Sequence, residues 1–273
     1  MTVCVSVKVH DCLIFAADSA LTMTKPDGSV ANVYNHGNKD FNLHRGHPVG
    51  AMFCGMGTIG SRSISSLSKE LRYRLMKGDW QLDDENFTME QIARRAFDFI
   101  SEKLTRASER GRMEFFVGGF GSDADHGEVW KVVVTDGAVA DPECLQGAGG
   151  FGVDWAGQTS PITRLLVGID PSFIDVLVRQ GVAPPAATAA FDLARTGLQA
   201  SFLSDAMPIG DAARLAEFLV DVTKGYYSFA EGADIVGGAT DVAAVTKWEG
   251  FKWIKRKHYY PASLNGENHG HVC

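Results

Sequence analysis

The opening of the chain alternates between apolar residues and polar or small ones. Valine occupies every second position from Val3 to Val9, and a period of two residues is typical of a β-strand with one apolar face. A His-Asp turn leads to a second strand at 13–17, and further strands are expected at 39–43 and 48–53 around a His-Arg-Gly-His turn. We therefore expect residues 2–54 to form consecutive antiparallel hairpins rather than βαβ units.

Helical periodicity follows in two segments. An apolar stripe runs from Ile59 to Leu75 and is closed by Gly78, and a capping box at Thr88–Gln91 opens a helix that extends to Leu104. The same periodicity predicts later helices at 161–167, 171–179, 188–203 and 211–229. Alternating apolar runs predict strands at 115–120, 129–134, 242–248 and 251–256. Polar or glycine-rich stretches predict loops at 20–37 and 147–152.

The order of these elements favours one architecture. Strands joined by hairpins, with helices supplied in blocks, predict two antiparallel sheets packed face to face with helices outside. We expect an α+β protein that forms a four-layer αββα sandwich, with a single domain at 1–260 and a polar tail at 261–273.

Composition narrows the classes of function. The 273 residues are 45% hydrophobic, and 26 Lys and Arg against 33 Asp and Glu give a net charge of −7. This balance disfavours a sequence-independent nucleic-acid binder. No apolar run reaches the roughly 18 residues that cross a bilayer, and no secretory signal is recognisable. Since the five cysteines form no Cys-x-x-Cys pair, we expect buried, reduced thiols in a cytoplasmic protein without nucleic-acid or membrane partners.

Two motifs have competing interpretations. The segment 55–60 is a literal G-x-G-x-x-G, which in a dinucleotide-binding fold would contact a pyrophosphate. That fold needs a parallel strand next, and the polar segment 79–85 does not predict one, so a tight turn is favoured over a nucleotide-dependent enzyme. His269-x-His271-x-Cys273 could hold a transition metal, but a polar chain end with no fourth ligand favours a solvated tail. No metal or cofactor is expected.

A third candidate lies at the start of the chain. Met1 precedes the small residue Thr2, so we expect Met1 to be removed and Thr2 to carry a hydroxyl and a free α-amine together. An α-amine has a pKa near about 7.7–8.0, so part of it is a free base at neutral pH. Such a base can activate the hydroxyl as a nucleophile, directly or through a water.

Two charged residues would stand beside this hydroxyl. Asp18 ends the strand predicted to pair with the strand that Thr2 opens, and paired strand ends lie about 5 Å apart. Lys39 opens the third strand, and an inward-pointing lysine requires a partner because an isolated buried ammonium is too costly. Asp18 is a plausible partner; the alternative is that both residues lie at the surface.

The chain resembles the β-type subunits of proteasomes, which are N-terminal-nucleophile (Ntn) hydrolases with an αββα fold. The matching segments are Thr2-Val3-Cys4-Val5, Phe15-Ala16-Ala17-Asp18-Ser19, Asn38-Lys39, Phe53-Cys54-Gly55 and Val236-Gly237-Gly238-Ala239-Thr240-Asp241-Val242. The likeness extends over nearly the whole chain and is specific in the first 60 residues. Within this family, the chain most resembles a bacterial proteasome-related homologue.

The resemblance implies a threonine protease. Thr2 would be the nucleophile and its amine the base, Lys39 would stabilise charge, Asp18 would hold Lys39, and the Gly55 N–H would lie in the oxyanion hole. Phe53 would help to form the floor of the S1 pocket, favouring small or medium apolar side chains. The substrates would be peptides or unfolded proteins cleaved inside a homo-oligomeric ring, without a metal or cofactor and with any ATPase or regulator unidentified.

The chain also departs from the family pattern. Asp234 is shifted by one position, Val236 stands where a serine is usual, and Gln158 lies in place of the serine of a Gly-Ser-Gly motif. The helical block at 168–206 is longer than in a lean proteasome subunit. These departures keep an alternative open: a catalytically silent ring or scaffold subunit that binds a partner through this block.

Ring assembly would use the outer faces of the first two helices. These faces combine both signs of charge, which suits a polar, salt-sensitive contact between subunits; the alternative is a solvated surface. The charged positions are Arg62, Lys69, Glu70, Arg72, Glu90, Arg94, Arg95 and Glu102.

Overall fold

The computed structural model describes residues 2–24, 30–107, 110–231 and 235–257. The strands are β1 (Val3–Lys8), β2 (Cys12–Ala17), β3 (Leu21–Thr24), β4 (Val30–Tyr34), β5 (Asp40–His44), β6 (Val49–Gly55), β7 (Thr58–Ile59), β8 (Arg62–Ser63), β9 (Arg112–Gly119), β10 (Glu128–Thr135), β11 (Ala138–Val139), β12 (Glu143–Gln146), β13 (Gly152–Gly157), β14 (Asp241–Thr246) and β15 (Gly250–Lys255). The helices are α1 (Ile64–Lys77), α2 (Met89–Leu104), α3 (Ser160–Val167), α4 (Ser172–Arg179), α5 (Pro184–Leu198) and α6 (Ile209–Phe229). The predicted tail at 261–273 lies outside the described residues.

Two large sheets organise these elements. The first has the strand order β13-β1-β2-β14-β15, and the second has the order β11-β10-β9-β6-β5 with β12 also paired to β10. The pairings in both sheets are antiparallel. The prediction of a mixed α+β fold built on antiparallel sheets is therefore confirmed.

Successive side chains along a strand point to opposite faces of the sheet and so lie in different apolar clusters. The odd-numbered valines of β1 pack with α3 and α6, whereas Cys4 of the same strand lies among residues of both sheets. A third cluster joins the other face of the second sheet to α1 and α2. Side chains on both faces of β1 and β2 therefore lie in apolar clusters, which explains why these two strands are buried along their whole length.

Two sequence-based assignments were wrong, and the strand that follows an expected loop was missed. The expected loop at 20–37 contains the hairpin of β3 and β4. The first helix begins at Ile64 rather than Ile59, because Ile59 belongs to the β7–β8 hairpin and Ser63 caps the helix by accepting from the Ser66 N–H at 3.1 Å. The glycine-rich stretch at 147–152 leads directly into β13, whose pairing with β1 is a long-range contact that local patterns do not reveal.

Helix ends follow local chemistry more closely. The capping box at Thr88 and Gln91 is present, and Gly78 ends α1. The helix expected at 188–203 begins four residues earlier, with Pro184 in its first turn, a position that suits proline because the first N–H groups of a helix have no partner within it. No residue of α4 is buried, and Ala187 is the buried residue of α5.

Candidate active site

The first hairpin brings Thr2 and Asp18 together. In the antiparallel pairing of β1 with β2, Cys4 stands opposite Ala17, so the residue before β1 and the residue after β2 share one end of the sheet. The Thr2 hydroxyl donates to Asp18 Oδ1, and the Val3 N–H donates to the same oxygen at 3.0 Å. Both Thr2 and Asp18 are buried.

Lys39 reaches this pair from the second sheet. It immediately precedes β5, and its Nζ donates to the Thr2 hydroxyl and lies 2.5 Å from Asp18 Oδ1. The Lys39 carbonyl accepts from the Phe53 N–H of β6 at 3.1 Å, which ties the lysine to the adjacent strand. The side chains of Lys39 and Asp18 are both almost fully enclosed. The three residues therefore form a buried cluster that connects the two sheets.

Asp18 has partners for both carboxylate oxygens. Oδ2 accepts from the Ala20 N–H at 3.0 Å and from the Gly237 N–H at 3.1 Å. Gly237 belongs to the Gly-Gly turn before β14, so the C-terminal part of the chain also holds this carboxylate. Ionic and backbone donors together are what a buried carboxylate needs to keep its charge.

The backbone of Thr2 is held from the other side. Its carbonyl accepts from the Gln158 N–H at 2.7 Å. Gly157 has a φ of +88°, and a Cβ at this position would collide with the Thr2 carbonyl. The Gln158 Oε1 accepts from the Tyr227 hydroxyl of α6 at 2.6 Å. Gln158 stands out in the sequence as a departure from the family pattern, whereas no local sequence pattern marks Tyr227.

Gly55 and Phe53 lie on β6, near the point where Lys39 is anchored. Gly55 is exposed and has a φ of +98°, and any Cβ would collide with the carbonyl of Arg112. The Phe53 side chain is buried in the cluster that includes α1 and α2, stacked on Phe41 at 6.0 Å between ring centroids. Its carbonyl accepts from the Cys4 thiol at 2.9 Å. The roles of Gly55 in an oxyanion hole and of Phe53 in a substrate pocket stay predictions.

The structure also shows where several other sequence motifs lie. The glycines of 55–60 lead into the β7–β8 hairpin, and β6 is antiparallel to both of its neighbours, so the parallel dinucleotide-binding arrangement is absent from this part of the chain. Val236 is buried in the cluster with α6, and it offers no polar side chain to Asp18. Asp234 and the motif at 269–273 lie outside the described residues.

The cysteines and surface charges differ from expectation in part. Cys4, Cys12 and Cys54 are buried free thiols, as predicted, but Cys144 is exposed, and Cys273 lies outside the described residues. The charged outer faces of α1 and α2 are linked internally: Glu70 is the centre of an ion-pair network whose other members are Arg62, Arg74, Glu102 and Lys103. Within the described ranges, no helix is both long and apolar enough to span a bilayer.

Comparison with known proteins places the fold in a class. No protein-family model matches the chain, and no curated protein matches it. Its similarity to a solved structure indicates a proteasome-related fold. It is similar to Anbu (ancestral beta-subunit) from Yersinia bercovieri, with a TM-score of 0.55 and 15% sequence identity over 94% of this chain and 88% of that chain. At this identity the likeness concerns the fold alone.

Proposed function

We propose that the chain is a threonine-type Ntn hydrolase that cleaves peptide bonds, with the two sheets and their helices forming a four-layer αββα sandwich. The observation that carries this proposal is the contact of one hydroxyl, Thr2, with both Lys39 and Asp18. A hydroxyl held between a buried ammonium and a buried carboxylate is unusual, because burying two charged groups costs free energy unless they are paired and hydrogen-bonded. The proteasome-related fold supports the same assignment.

The proposed reaction proceeds through an acyl-enzyme. After removal of Met1, the α-amine of Thr2 accepts the hydroxyl proton, and Oγ1 attacks the carbonyl carbon of the scissile peptide bond. The resulting oxyanion accepts a hydrogen bond from the Gly55 N–H. The protonated amine then gives its proton to the leaving nitrogen, the C–N bond breaks, and an ester to Thr2 remains. Water activated by the same amine hydrolyses this ester and restores the hydroxyl.

The surrounding residues would prepare this step rather than carry it. Lys39 places a positive charge against the oxygen that loses its proton, which favours the developing alkoxide. Asp18 fixes the position of Lys39, and the Gln158 N–H fixes the Thr2 backbone. Phe53 would favour small or medium apolar residues at the P1 position, and a peptide-library profile dominated by charged residues would contradict that assignment.

Replacement of the hydroxyl tests the nucleophile. Thr2→Ala is expected to abolish hydrolysis of unfolded protein and reporter peptides and to keep the fold, whereas Thr2→Ser keeps a nucleophilic oxygen and should retain activity. Thr58→Ala, at an exposed threonine on β7, serves as the matched control and should behave as the native chain. Turnover by Thr2→Ala equal to that of the native chain would refute the assignment.

A catalytically silent scaffold subunit is the second candidate. It is favoured by the altered polar residues around the site and by α4 and α5, which are almost entirely exposed, since such helices could present a surface to a partner. Mass spectrometry of the intact protein separates the two candidates. Retention of Met1 leaves no free Thr2 amine and supports the scaffold, whereas a mass that begins at Thr2 supports the hydrolase.

We further propose that the protein assembles into a homo-oligomeric ring in the cytoplasm that encloses the nucleophile. Glu70 is already paired within the chain, so its ion-pair network gives little support for a contact between subunits. The proposal of assembly therefore rests on the proteasome-related fold. Light scattering at low and high ionic strength tests the proposal, because a 29.5 kDa particle under all conditions would contradict it.

A further inference from the structure

A cavity of about 650 Å³ opens where the two sheets end side by side. The last strand of each sheet on this side, β5 and β15, forms its walls, and α1 covers it. We name it the edge cavity; its described lining residues are Asn38, Asp40, Phe41, Asn42, Ser65, Ser68, Lys69, Arg72, Phe251, Trp253, Arg256 and Lys257. Phe41 of β5 lines the cavity and also packs in the apolar cluster with α1 and α2.

The lining of the edge cavity is strongly cationic, although the chain as a whole carries a net charge of −7. Four of its described residues are Lys or Arg, and Asp40 is its one acidic residue in the described ranges. Lys257 is neutralised by Asp241. In the part of the chain that the structure describes, Lys69, Arg72 and Arg256 have no ion-pair partner. These three side chains are therefore available to bind an anion.

Two buried polar groups at the cavity have no hydrogen-bond partner among the residues that the structure describes. Both carboxylate oxygens of Asp40 and the hydroxyl of Ser68 are enclosed and unpaired, and each residue is 3% exposed. A buried polar group without a partner costs free energy, so its persistence calls for an explanation such as a ligand.

The Asp40 carboxyl is suited to donate a hydrogen bond to an anion rather than to repel it. Burial, together with the negative charge of Asp241, raises its pKa well above the ordinary value of 3.8. The other charged groups that face it are Lys257 and Lys39, which oppose this rise, and Asp18, which adds to it. A neutral Asp40 carboxyl can offer a hydrogen-bond donor to an anion, as the Ser68 hydroxyl can.

We propose that the edge cavity binds a small oxyanion, bearing phosphate or carboxylate groups, between Lys69, Arg72 and Arg256. The unpaired Asp40 and Ser68 would donate to the oxyanion from the enclosed end of the cavity. Because an anion and an ionised Asp40 would repel each other, binding is coupled to proton uptake by Asp40 whenever that carboxyl is not already protonated. The site includes no atom of Thr2 and does not depend on the proposed hydrolase activity.

Isothermal titration calorimetry of the full chain tests the proposal, with pyrophosphate and citrate as probes at constant ionic strength. Calorimetry is preferable to melting, since multivalent anions stabilise many proteins without a specific site. We expect saturable binding of one anion per chain. A preference for pyrophosphate assigns a phosphate ligand, and a preference for citrate assigns a carboxylate ligand. Absence of saturable binding by both would overturn the site.

Matched variants locate the binding. Lys69→Gln and Lys77→Gln remove the same charge from the same helix, but Lys77 is exposed and does not line the cavity. We expect Lys69→Gln and Arg72→Gln each to weaken binding by roughly tenfold and Lys77→Gln to leave it unchanged. Equal weakening by Lys69→Gln and Lys77→Gln would show general attraction and overturn the site.

A further variant tests the buried carboxyl. Asp40→Asn should keep anion binding and take up fewer protons than the native chain with the same probe, measured as the dependence of the binding heat on the ionisation enthalpy of the buffer. Because pyrophosphate and citrate also exchange protons, the comparison with the native chain is what counts, and equal uptake by the two proteins would exclude Asp40 from the site. Thr2→Ala should bind the anion as the native chain does, which keeps this test separate from that of the hydrolase.

Discussion

Asp18, the ion-pair partner of Lys39, and Asp40, its neighbour in the chain, are buried to almost the same degree but differ in their hydrogen-bond partners. Asp18 is 1% exposed and Asp40 is 3% exposed. Asp18 accepts hydrogen bonds from three backbone N–H groups, one hydroxyl and one ammonium, whereas neither oxygen of Asp40 has a partner. Burial alone thus does not decide what a carboxylate does; the donors around it do. The comparison separates a carboxylate held by several donors from a buried carboxyl without a hydrogen-bond partner among the described residues.

The largest expected effect follows from removing Asp18, the carboxylate that is paired with Lys39. Asp18→Ala leaves the Lys39 ammonium buried without its partner, which typically costs about 3–5 kcal/mol of stability. Urea denaturation measures this loss. Adding Lys39→Met to Asp18→Ala removes the orphaned charge and should restore part of the stability. A double variant that is less stable than Asp18→Ala alone would show that the Asp18–Lys39 ion pair is not what stabilises this region.

Activity should respond to Lys39 far more than to its neighbour Asp40. Lys39→Ala removes the charge beside the Thr2 hydroxyl, the proposed nucleophile, and is expected to lower kcat/KM by roughly 10²–10³-fold, as for other preorganised donors. Asp40→Ala should lower it by less than about tenfold, because Asp40 has no contact with Thr2. Circular dichroism checks that both variants are folded. Equal losses in the two would mean that the whole strand, rather than Lys39, governs activity.

At Gly55, the cost of a steric collision can be separated from the cost of a positive φ. Gly55→Ala combines a positive φ with a collision against the Arg112 carbonyl, and we expect a loss of roughly 2–4 kcal/mol. Gly149→Ala is the matched control, since Gly149 also has a positive φ but has open space around it. It should cost only about 1–2 kcal/mol. Thermal or urea denaturation that finds equal losses would contradict the collision.

The smallest expected effect is a pH-dependent gain in stability when Asp40, which lacks a hydrogen-bond partner, is replaced. Because the pKa of Asp40 is raised in the folded chain, its contribution to stability is complete below the unfolded pKa and is lost as the pH rises toward the folded pKa. Asp40→Asn cannot ionise and should melt a few degrees above the native chain at pH 7, a shift that about 1 kcal/mol produces at this size. The difference should vanish near pH 3. A lower melting temperature for Asp40→Asn at pH 7 would contradict this.

Local sequence patterns were sufficient for the elements that local chemistry specifies. The valines of β1 alternate with period two, and the capping box at Thr88 satisfies two backbone N–H groups within one turn of helix. The expected closeness of Thr2 and Asp18 is also local in origin, because a tight hairpin joins their strands. These features need only short stretches of chain, and their contacts are the same in any fold that contains them.

Long-range contacts were decided by the tertiary structure alone. The pairing of β13 with β1, which brings the Gln158 N–H to Thr2, joins segments about 150 residues apart, and no local periodicity encodes it. The pairing of Lys39 with Asp18 was a hypothesis from charge and burial until the two sheets placed their atoms together. Asp40 reads in the sequence as an ordinary strand-end aspartate. Only the meeting of β5, β15 and α1 encloses it without a donor, because desolvation depends on every element around a group and not on its neighbours along the chain.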